Sequence, residues 1–461
     1  MRCLTVDFGS TYTKLALIDT EQRAVLATAS AFTTIDTDVQ VGFNNAKERL
    51  QQRLGAPLTY DDLICCSSAA GGLKMVALGL VPSLTAQAAR LAANSAGAKV
   101  VKTYAYEISH AEQEEIYQIN PDLVLLCGGT DGGNKEVILA NARRLIEIDR
   151  PFAVIVAGNK TASYELETLF AQSNKRFVVT ENVMPEFNKL NIEPAKKCIM
   201  ELFISRIIDA KGLTGIQEQT AHKIIPTPLA VLNACKLLSN GTEHTPGWGD
   251  LLAVDLGGAT TDIYSMSNGT PTRANVMLKG LPEPYAKRTV EGDLGMRYSL
   301  HALREEISLP ALSEKIGVPE EQIEDWVIRC AQDPALVAEP GSTEQRIEEG
   351  LAHSAVEKAT ERHAGYMQQA YTPLGELFAL YGKDLTEVPC VIGIGGALIN
   401  SANPTFILQG ALFNPADPMR AKPVNPRFYL DKQYIVASMG LLSTVDPECA
   451  LEILKRETVR L

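Results

Sequence analysis

The sequence has no G-x-x-x-x-G-K-[ST] stretch, no C-x-x-C, no H-E-x-x-H and no apolar run of roughly 18 residues. Without the first, any nucleotide site has to be built from other elements. Nine cysteines without regular spacing and six histidines without paired spacing argue against zinc or iron–sulfur. They read as reduced, structural thiols. With no bilayer-length run, and with Asp7 where a signal-peptide core would have to lie, the chain is expected in the cytoplasm, with no membrane partner. Basic charge is also short: 43 Lys and Arg stand against 55 Asp and Glu, a formal net charge of −12. That balance repels phosphate backbones and anionic lipid, so no nucleic-acid partner is expected. A small anion held by local backbone donors stays compatible with it.

What is present is ordinary for a folded protein: 46% hydrophobic and 21% charged residues over 461 positions, long enough for two to four domains or subdomains. Residues 4–9 and 13–18 read as two strands joined by a turn, with a third strand at 24–31 and a helix over 44–54. From about 60 to 180 strands and helices alternate, which predicts a parallel or mixed sheet covered on both faces. Helices are expected at 193–210, at 228–239 with Pro228 in its first turn, and at 447–457. The charged stretch 298–381 reads as a solvated helical subdomain, and YIVASMG (434–440) as a strand.

The most informative feature is a repeat. LTVDFGSTYTKLALID (4–19) returns as LAVDLGGATTDIYSM (252–266), without gaps when Asp7 is set on Asp255. Leu4, Val6, Asp7, Gly9 and Thr13 match Leu252, Val254, Asp255, Gly257 and Thr261. A D-x-G turn is common by itself. Two copies in one register point to duplicated domains, each opening on a strand–turn–strand unit. The chemistry suits a polyphosphate: an aspartate at the end of a buried strand can hold magnesium directly or through water. Gly9 and Gly257 let backbone N–H groups approach phosphate oxygens. Ser10, Thr11, Thr13, Thr260 and Thr261 add hydroxyls, and Lys14 a compact cation. Asp262, where the first copy has Lys14, suits a role at magnesium or water, or a pairing with a neighbour.

A third piece is IGIGGAL (392–398), an apolar strand running into Gly393, Gly395 and Gly396, where a base or ribose can lie on bare backbone. The similar LLCGGTDGG (125–133) fits either the first domain's version of that turn or a second ligand surface.

Together these pieces resemble the actin-like ATPase superfamily of actin, sugar kinases and DnaK-type chaperones. DLGGATTD is similar to the chaperones' second phosphate motif, with Ala259 in place of a glycine, and IGIGGAL to their adenosine motif. PTPLAVLNA (226–234) resembles the connecting helix, without its glutamate, and RTVEGDLGMR (288–297) sits where a nucleotide-proximal helix start would be, its acidic residues equally suited to helix caps. The ordered strings DFGSTYTKL, CSSAAGGLKMVALGLVP, LLCGGTDGGN, DLGGATTDIYS, KRTVEGDLGMRYS and GIGGALI look like the glutamate mutase accessory family (GlmL, also called MutL), over roughly 1–450.

The resemblance implies an α/β fold of duplicated actin-like, ribonuclease H-like domains with a nucleotide cleft between them and an inserted helical subdomain. The expected domains are 1–190, with an inserted α/β segment, and 191–461, including the helices at about 298–381. It implies ATP and Mg2+ as ligands, and subunits of an adenosylcobalamin-dependent mutase as partners of a reactivating chaperone. Asp7 and Asp255 would be the catalytic, magnesium-holding carboxylates. Gly9, Ser10, Thr11, Thr13, Lys14, Gly257, Gly258, Thr260 and Thr261 would hold phosphates, and Gly393, Gly395 and Gly396 would back the nucleoside. No D-x-H-x-x-G occurs, so base-off cobalamin is not expected on this chain. Three other readings share the fold: a small-molecule kinase of the sugar-kinase branch, an activator of 2-hydroxyacyl-CoA dehydratases, and a scaffold that binds nucleotide without turnover.

Overall fold

A computed structural model describes residues 1–9, 12–33, 39–68, 74–96, 98–372 and 375–461. The chain divides into two compact units: Met1–Ala230 with Gly280–Pro282, and Val231–Lys279 with Glu283–Leu461. The sequence puts the boundary near residue 190, but the helix Glu193–Lys211 buries Ala195, Ile199 and Phe203 in the same core as Leu4, Val6 and Phe8. Its apolar residues bind it to the first unit, and the division falls after it.

The first unit carries two sheets. One is built from β1 (Arg2–Phe8), β2 (Tyr12–Asp19), β3 (Ala24–Phe32) and β4 (Asp62–Ser67). The other uses β5 (Lys74–Gly79), β6 (Lys99–Ala105), β7 (Leu123–Leu126), β8 (Ala153–Val156) and β9 (Phe177–Val179). The short β10 (Ile225–Pro226) returns to the first sheet, whose order is β3-β2-β1-β4-β10. The β1–β2 and β2–β3 pairs are antiparallel, and β4 runs parallel to both β1 and β10. β1 is central, so Cys3 to Phe8 are all buried, as a strand covered on both faces requires. The second sheet is wholly parallel in the order β6-β5-β7-β8-β9. Alternate residues serve its two faces. Ala77, Leu125 and Ile155 face the core shared with β1, while Leu78, Leu126 and Val156 face a separate cluster with Ile138, Leu145 and Phe170.

The second unit holds β11 (Leu251–Leu256), β12 (Thr261–Met266), β13 (Val276–Lys279), β14 (Ala286–Glu291), β15 (Tyr366–Thr372), β16 (Gly375–Tyr381), β17 (Cys390–Ile394), β18 (Arg427–Asp431) and β19 (Thr458–Arg460). Its main sheet runs β14-β12-β11-β17-β18-β19, and a small sheet runs β13-β16-β15. The β11–β12 and β12–β14 pairs are antiparallel, and β17 is parallel to β11 and β18. Counted from the hairpin, both main sheets share the order third-second-first-fourth-fifth with the same strand directions, and the second adds β19, antiparallel, beyond its fifth strand. This is the duplicated ribonuclease H-like plan of the actin-like fold.

Two expected elements differ. The span 298–381 is not uniformly helical or solvated: helices Leu300–Glu306, Leu309–Ile316, Glu320–Gln332 and Thr343–His363 give way to the hairpin β15–β16. The last of these helices also lays Leu351, Ala355 and Ala359 against Leu252, Val254 and Ile263 of the sheet, so it is core, with its charges on the remaining face. YIVASMG forms the helix Val436–Leu442 instead of a strand. A short, wholly buried apolar run carries no period to separate the two. Here Asp431, ending β18, accepts the Ile435 and Val436 N–H groups at 2.9 and 3.0 Å and caps the turn into the helix.

Candidate functional site

In the first hairpin the ladder sets Asp7 opposite Lys14 and Phe8 opposite Thr13. The turn closes with the Gly9 N–H on the Tyr12 carbonyl at 3.1 Å, and a Cβ on Gly9 would stand 2.5 Å from that oxygen. Only glycine fits there without moving backbone. Ser10 and Thr11, expected to hold phosphate, lie outside the described residues. The Asp7 carboxylate is 4% exposed. Its Oδ1 accepts from Thr227 Oγ1 at 2.6 Å and from Cys66 Sγ at 3.5 Å, while Lys14 Nζ lies 3.5 Å from Oδ2. Burial, then the Asp7 charge, push the Cys66 thiol well up from its ordinary value, so it stays protonated. Thr13 is buried, and its hydroxyl shares a 3.0 Å hydrogen bond with Thr33, which fixes it inside the fold.

The second hairpin repeats the backbone. Asp255 faces Asp262 across the ladder, the Gly257 N–H meets the Thr260 carbonyl at 2.9 Å, and a Cβ on Gly257 would lie 3.0 Å from it. The segment after β14 then takes the turn's carbonyls. Met296 N–H donates to Gly257 at 3.0 Å, Arg297 and Tyr298 N–H to Gly258 at 2.8 and 2.9 Å, and the Ser299 hydroxyl to Ala259 at 2.7 Å. With those oxygens engaged, the N–H groups of Gly258, Ala259 and Thr260 have no acceptor among the described residues. Successive unpaired amides of this kind form an anion-binding concavity. Thr261, like Thr13, is buried, and it donates to the Leu294 carbonyl at 2.6 Å. The Thr260 hydroxyl donates to Asp262 at 3.0 Å.

Asp262 is held by Arg288 from β14, with Nε at 2.8 Å and Nη2 at 2.6 Å, and both residues are buried. Of the roles open to Asp262, the structure shows the pairing with a neighbour. Asp255 is half-buried. The acidic residues Glu291 and Asp293 both reach Arg362 at 2.8 Å, an ion-pair cluster on the helix Thr343–His363. Neither Thr227 nor Arg288 was singled out from the sequence. Thr227 heads a helix one residue before Pro228, a position that reads as a cap, and Arg288 shows its role only once β14 is paired with β12.

The third piece adjoins this turn. β17 is parallel to β11 with Ile394 level with Asp255. Gly395 follows at φ +109°, and a Cβ there would collide with the Leu256 carbonyl. Gly393 is enclosed by Leu398 and Leu408, whereas a Cβ on Gly396 would meet only Asn400 Nδ2, at 3.8 Å. Gly393 and Gly395 therefore serve packing, and Gly396 presents the open backbone. LLCGGTDGG is not the first unit's version of this turn: the strand matching β17 in the first unit is β4, and Leu123–Leu126 belongs to the parallel sheet. Among the described residues no group of three or more His, Cys, Asp and Glu could hold a metal ion, and no helix is long and apolar enough to cross a membrane.

A family model described as MutL protein matches residues 3–458. Protein MutL of Clostridium tetanomorphum is 45% identical over 458 residues, 99% of each chain. Among solved structures, the nucleotide-free acetone carboxylase is 12% identical at a TM-score of 0.41, covering 96% of this chain and 70% of that one. Ligand-bound xylulose kinase from Lactobacillus acidophilus is 10% identical at a TM-score of 0.36, covering 100% and 92%. The activator of 2-hydroxyisocaproyl-CoA dehydratase from Clostridium difficile, with bound ADPNP, is 9% identical at 0.29, covering 99% and 98%.

Proposed function

The chain belongs to the MutL protein family, and from that premise we propose that it is an ATP- and magnesium-binding accessory protein that reactivates an adenosylcobalamin-dependent mutase such as glutamate mutase. The observation that carries the nucleotide reading is the second turn. Three successive N–H groups, Gly258 to Thr260, have no acceptor among the described residues, while the segment after β14 binds the carbonyls of Gly257 to Ala259. The first turn repeats its closure at Gly9.

In this reading, within the second unit the Gly258, Ala259 and Thr260 amides take phosphate oxygens, Gly396 offers bare backbone to the nucleoside, and Asp255 is the carboxylate on the metal side. Within the first unit, Asp7 is the matching carboxylate and Lys14 the cation beside it. Magnesium, when bound, neutralises charge on the phosphate oxygens, and one or two carboxylates are a usual protein contribution to it. Thr227 fixes the orientation of Asp7 through its 2.6 Å hydrogen bond. Hydrolysis of the γ-phosphate would then bias the conformation that the mutase partner senses.

The test is titration calorimetry with MgATP on the wild type, Asp7→Ala and Asp255→Asn. Binding lost or weakened at least about tenfold in both variants supports the assignment. Equal binding by wild type and Asp7→Ala would sink it. Single-turnover hydrolysis with and without the mutase separates an ATPase from a scaffold that only holds nucleotide.

A further inference from the structure

The LLCGGTDGG segment, left outside the two hairpins, lies at the carboxyl end of β7 in the parallel sheet. With strand order β6-β5-β7-β8-β9, the chain leaves β5 toward β6 on one side while β7 begins the run in the other direction. The loops after β5 and β7 therefore diverge, and the crevice between them is where open parallel sheets take ligands. The two loops are adjacent here: a Cβ on Gly128 would lie 3.7 Å from the Leu80 nitrogen.

The loop after β5 is closed on itself, since Thr85 Oγ1 accepts the Leu80 and Val81 N–H groups at 2.7 and 3.0 Å. The loop after β7 has its carbonyls tied back instead. Gly128 O accepts from Asn159 N–H at 3.1 Å, Gly129 O from Asn182 Nδ2 at 3.0 Å, and Thr130 O from Gly133 N–H at 2.9 Å. The N–H groups of Gly128, Gly129 and Thr130 have no acceptor among the described residues, and Gly128 and Gly129 are buried. Buried orphan amides are rare, and each calls for a partner. This is the arrangement of Gly258 to Thr260, built a second time on a different sheet. The one carboxylate in the loop, Asp131, is directed at Lys160 N–H and Asn182 Nδ2, both at 3.0 Å.

An exposed aromatic side chain is tied to the same Leu80 that the Gly128 loop adjoins. Tyr106, directly after β6, is 60% exposed and held at φ +66° by its N–H on the Leu80 carbonyl at 3.2 Å and by Asn141 Nδ2 on its own carbonyl at 2.9 Å. A left-handed conformation is costly for an aromatic residue and persists only where its surroundings impose it.

We propose that this crevice is a second ligand site, distinct from the hairpin turns, for a phosphate-bearing molecule with a planar ring. The phosphate sits on the Gly128, Gly129 and Thr130 amides and the ring lies on Tyr106. The site is non-covalent, and it does not depend on the function proposed for the hairpins.

The probes are inorganic phosphate and adenosine monophosphate, titrated into the full chain labelled with 15N-glycine. Both are expected to shift the Gly128 and Gly129 amides, with the nucleotide binding about tenfold more tightly through ring stacking. Tyr106→Asn, which tolerates the left-handed backbone, is expected to bring the nucleotide to the affinity of phosphate and leave phosphate unchanged. Gly129→Ala, whose Cβ would collide with the Asn134 carbonyl, is expected to abolish both. Shifts confined to Gly257 and Gly258, or no shift at Gly128 and Gly129 with either probe, overturn the proposal. A nucleotide affinity unaffected by Tyr106→Asn overturns the ring contact.

Discussion

The two hairpins share a backbone and differ in how they settle charge. In both, an aspartate ends the first strand, a glycine N–H closes onto a turn carbonyl, and a threonine buries its hydroxyl in the fold. Across from the aspartate, however, the first hairpin places Lys14 and the second places Asp262. A cation opposite a carboxylate neutralises it within the hairpin. Two carboxylates opposite one another repel. The second unit resolves that repulsion from outside, with Arg288 on β14, at the cost of burying a guanidinium. The duplicated fold thus repeats the main-chain geometry of the hairpin turn, while each copy solves its electrostatics with whatever strand or helix lies alongside.

Breaking the external solution should have the largest effect. Arg288→Met leaves the buried Asp262 charge without its cation, with only the Thr260 hydroxyl still donating to it, and the second unit should lose about 3–5 kcal/mol, read by urea unfolding with tryptophan fluorescence. Both tryptophans, Trp248 and Trp326, lie in that unit. Adding Asp262→Asn should restore most of the loss. Lys14→Met, where the lysine is partly exposed and Thr227 still donates to the buried Asp7, should cost less, about 1–3 kcal/mol.

A second difference is pH. Behind β12, Lys383 is buried and donates to the Tyr285 carbonyl at 2.6 Å, and burial, with Lys287 nearby, brings its pKa down to about 7. Its unfolded value is near 10.5. As pH falls between those values the unfolded chain takes up a proton that the folded unit does not. The second unit should therefore lose stability from about pH 10.5 down to about 7 and level off below. Subtracting the profile of Lys383→Met isolates this contribution, which is roughly 3–5 kcal/mol over the full window. A flat difference profile would show that Lys383 stays charged in the fold.

In the first unit, Thr227→Val removes the 2.6 Å donor to Asp7 and should cost about 2 kcal/mol, read as faster hydrogen exchange along β1, with Thr227→Ser retaining protection. The smallest contrast tests the turns themselves. Gly9→Ala places a Cβ 2.5 Å from a carbonyl and Gly257→Ala places it at 3.0 Å. The first should cost about 1–2 kcal/mol and the second less, both measured by thermal unfolding.

The repeat was legible because it is local: a period-2 apolar run, an aspartate, a glycine and hydroxyls occupy sixteen consecutive positions in the first copy and fifteen in the second. The same locality misled at Thr13 and Thr261, which look like turn hydroxyls in the string. One residue of strand pleat turns both inward, where Thr33 and the Leu294 carbonyl take them. The helix Thr343–His363 read as solvated because its charges dominate its composition, although its small buried residues line the sheet. Thr227, Arg288 and Arg362 were not legible, since each acts on a partner 26 to 220 positions away.

By itself, the sequence determined the duplication, the strand–turn–strand opening of each half, the glycines that a close-packed turn demands, and the family. These rest on patterns within a few residues, where chain geometry leaves little choice. Tertiary structure alone decided which carboxylate is paired, which hydroxyls face inward, and that LLCGGTDGG follows a strand of a separate parallel sheet, with amides that have no acceptor among the described residues. Those outcomes depend on which strand lies beside which, and strand adjacency is set by burial across the whole unit.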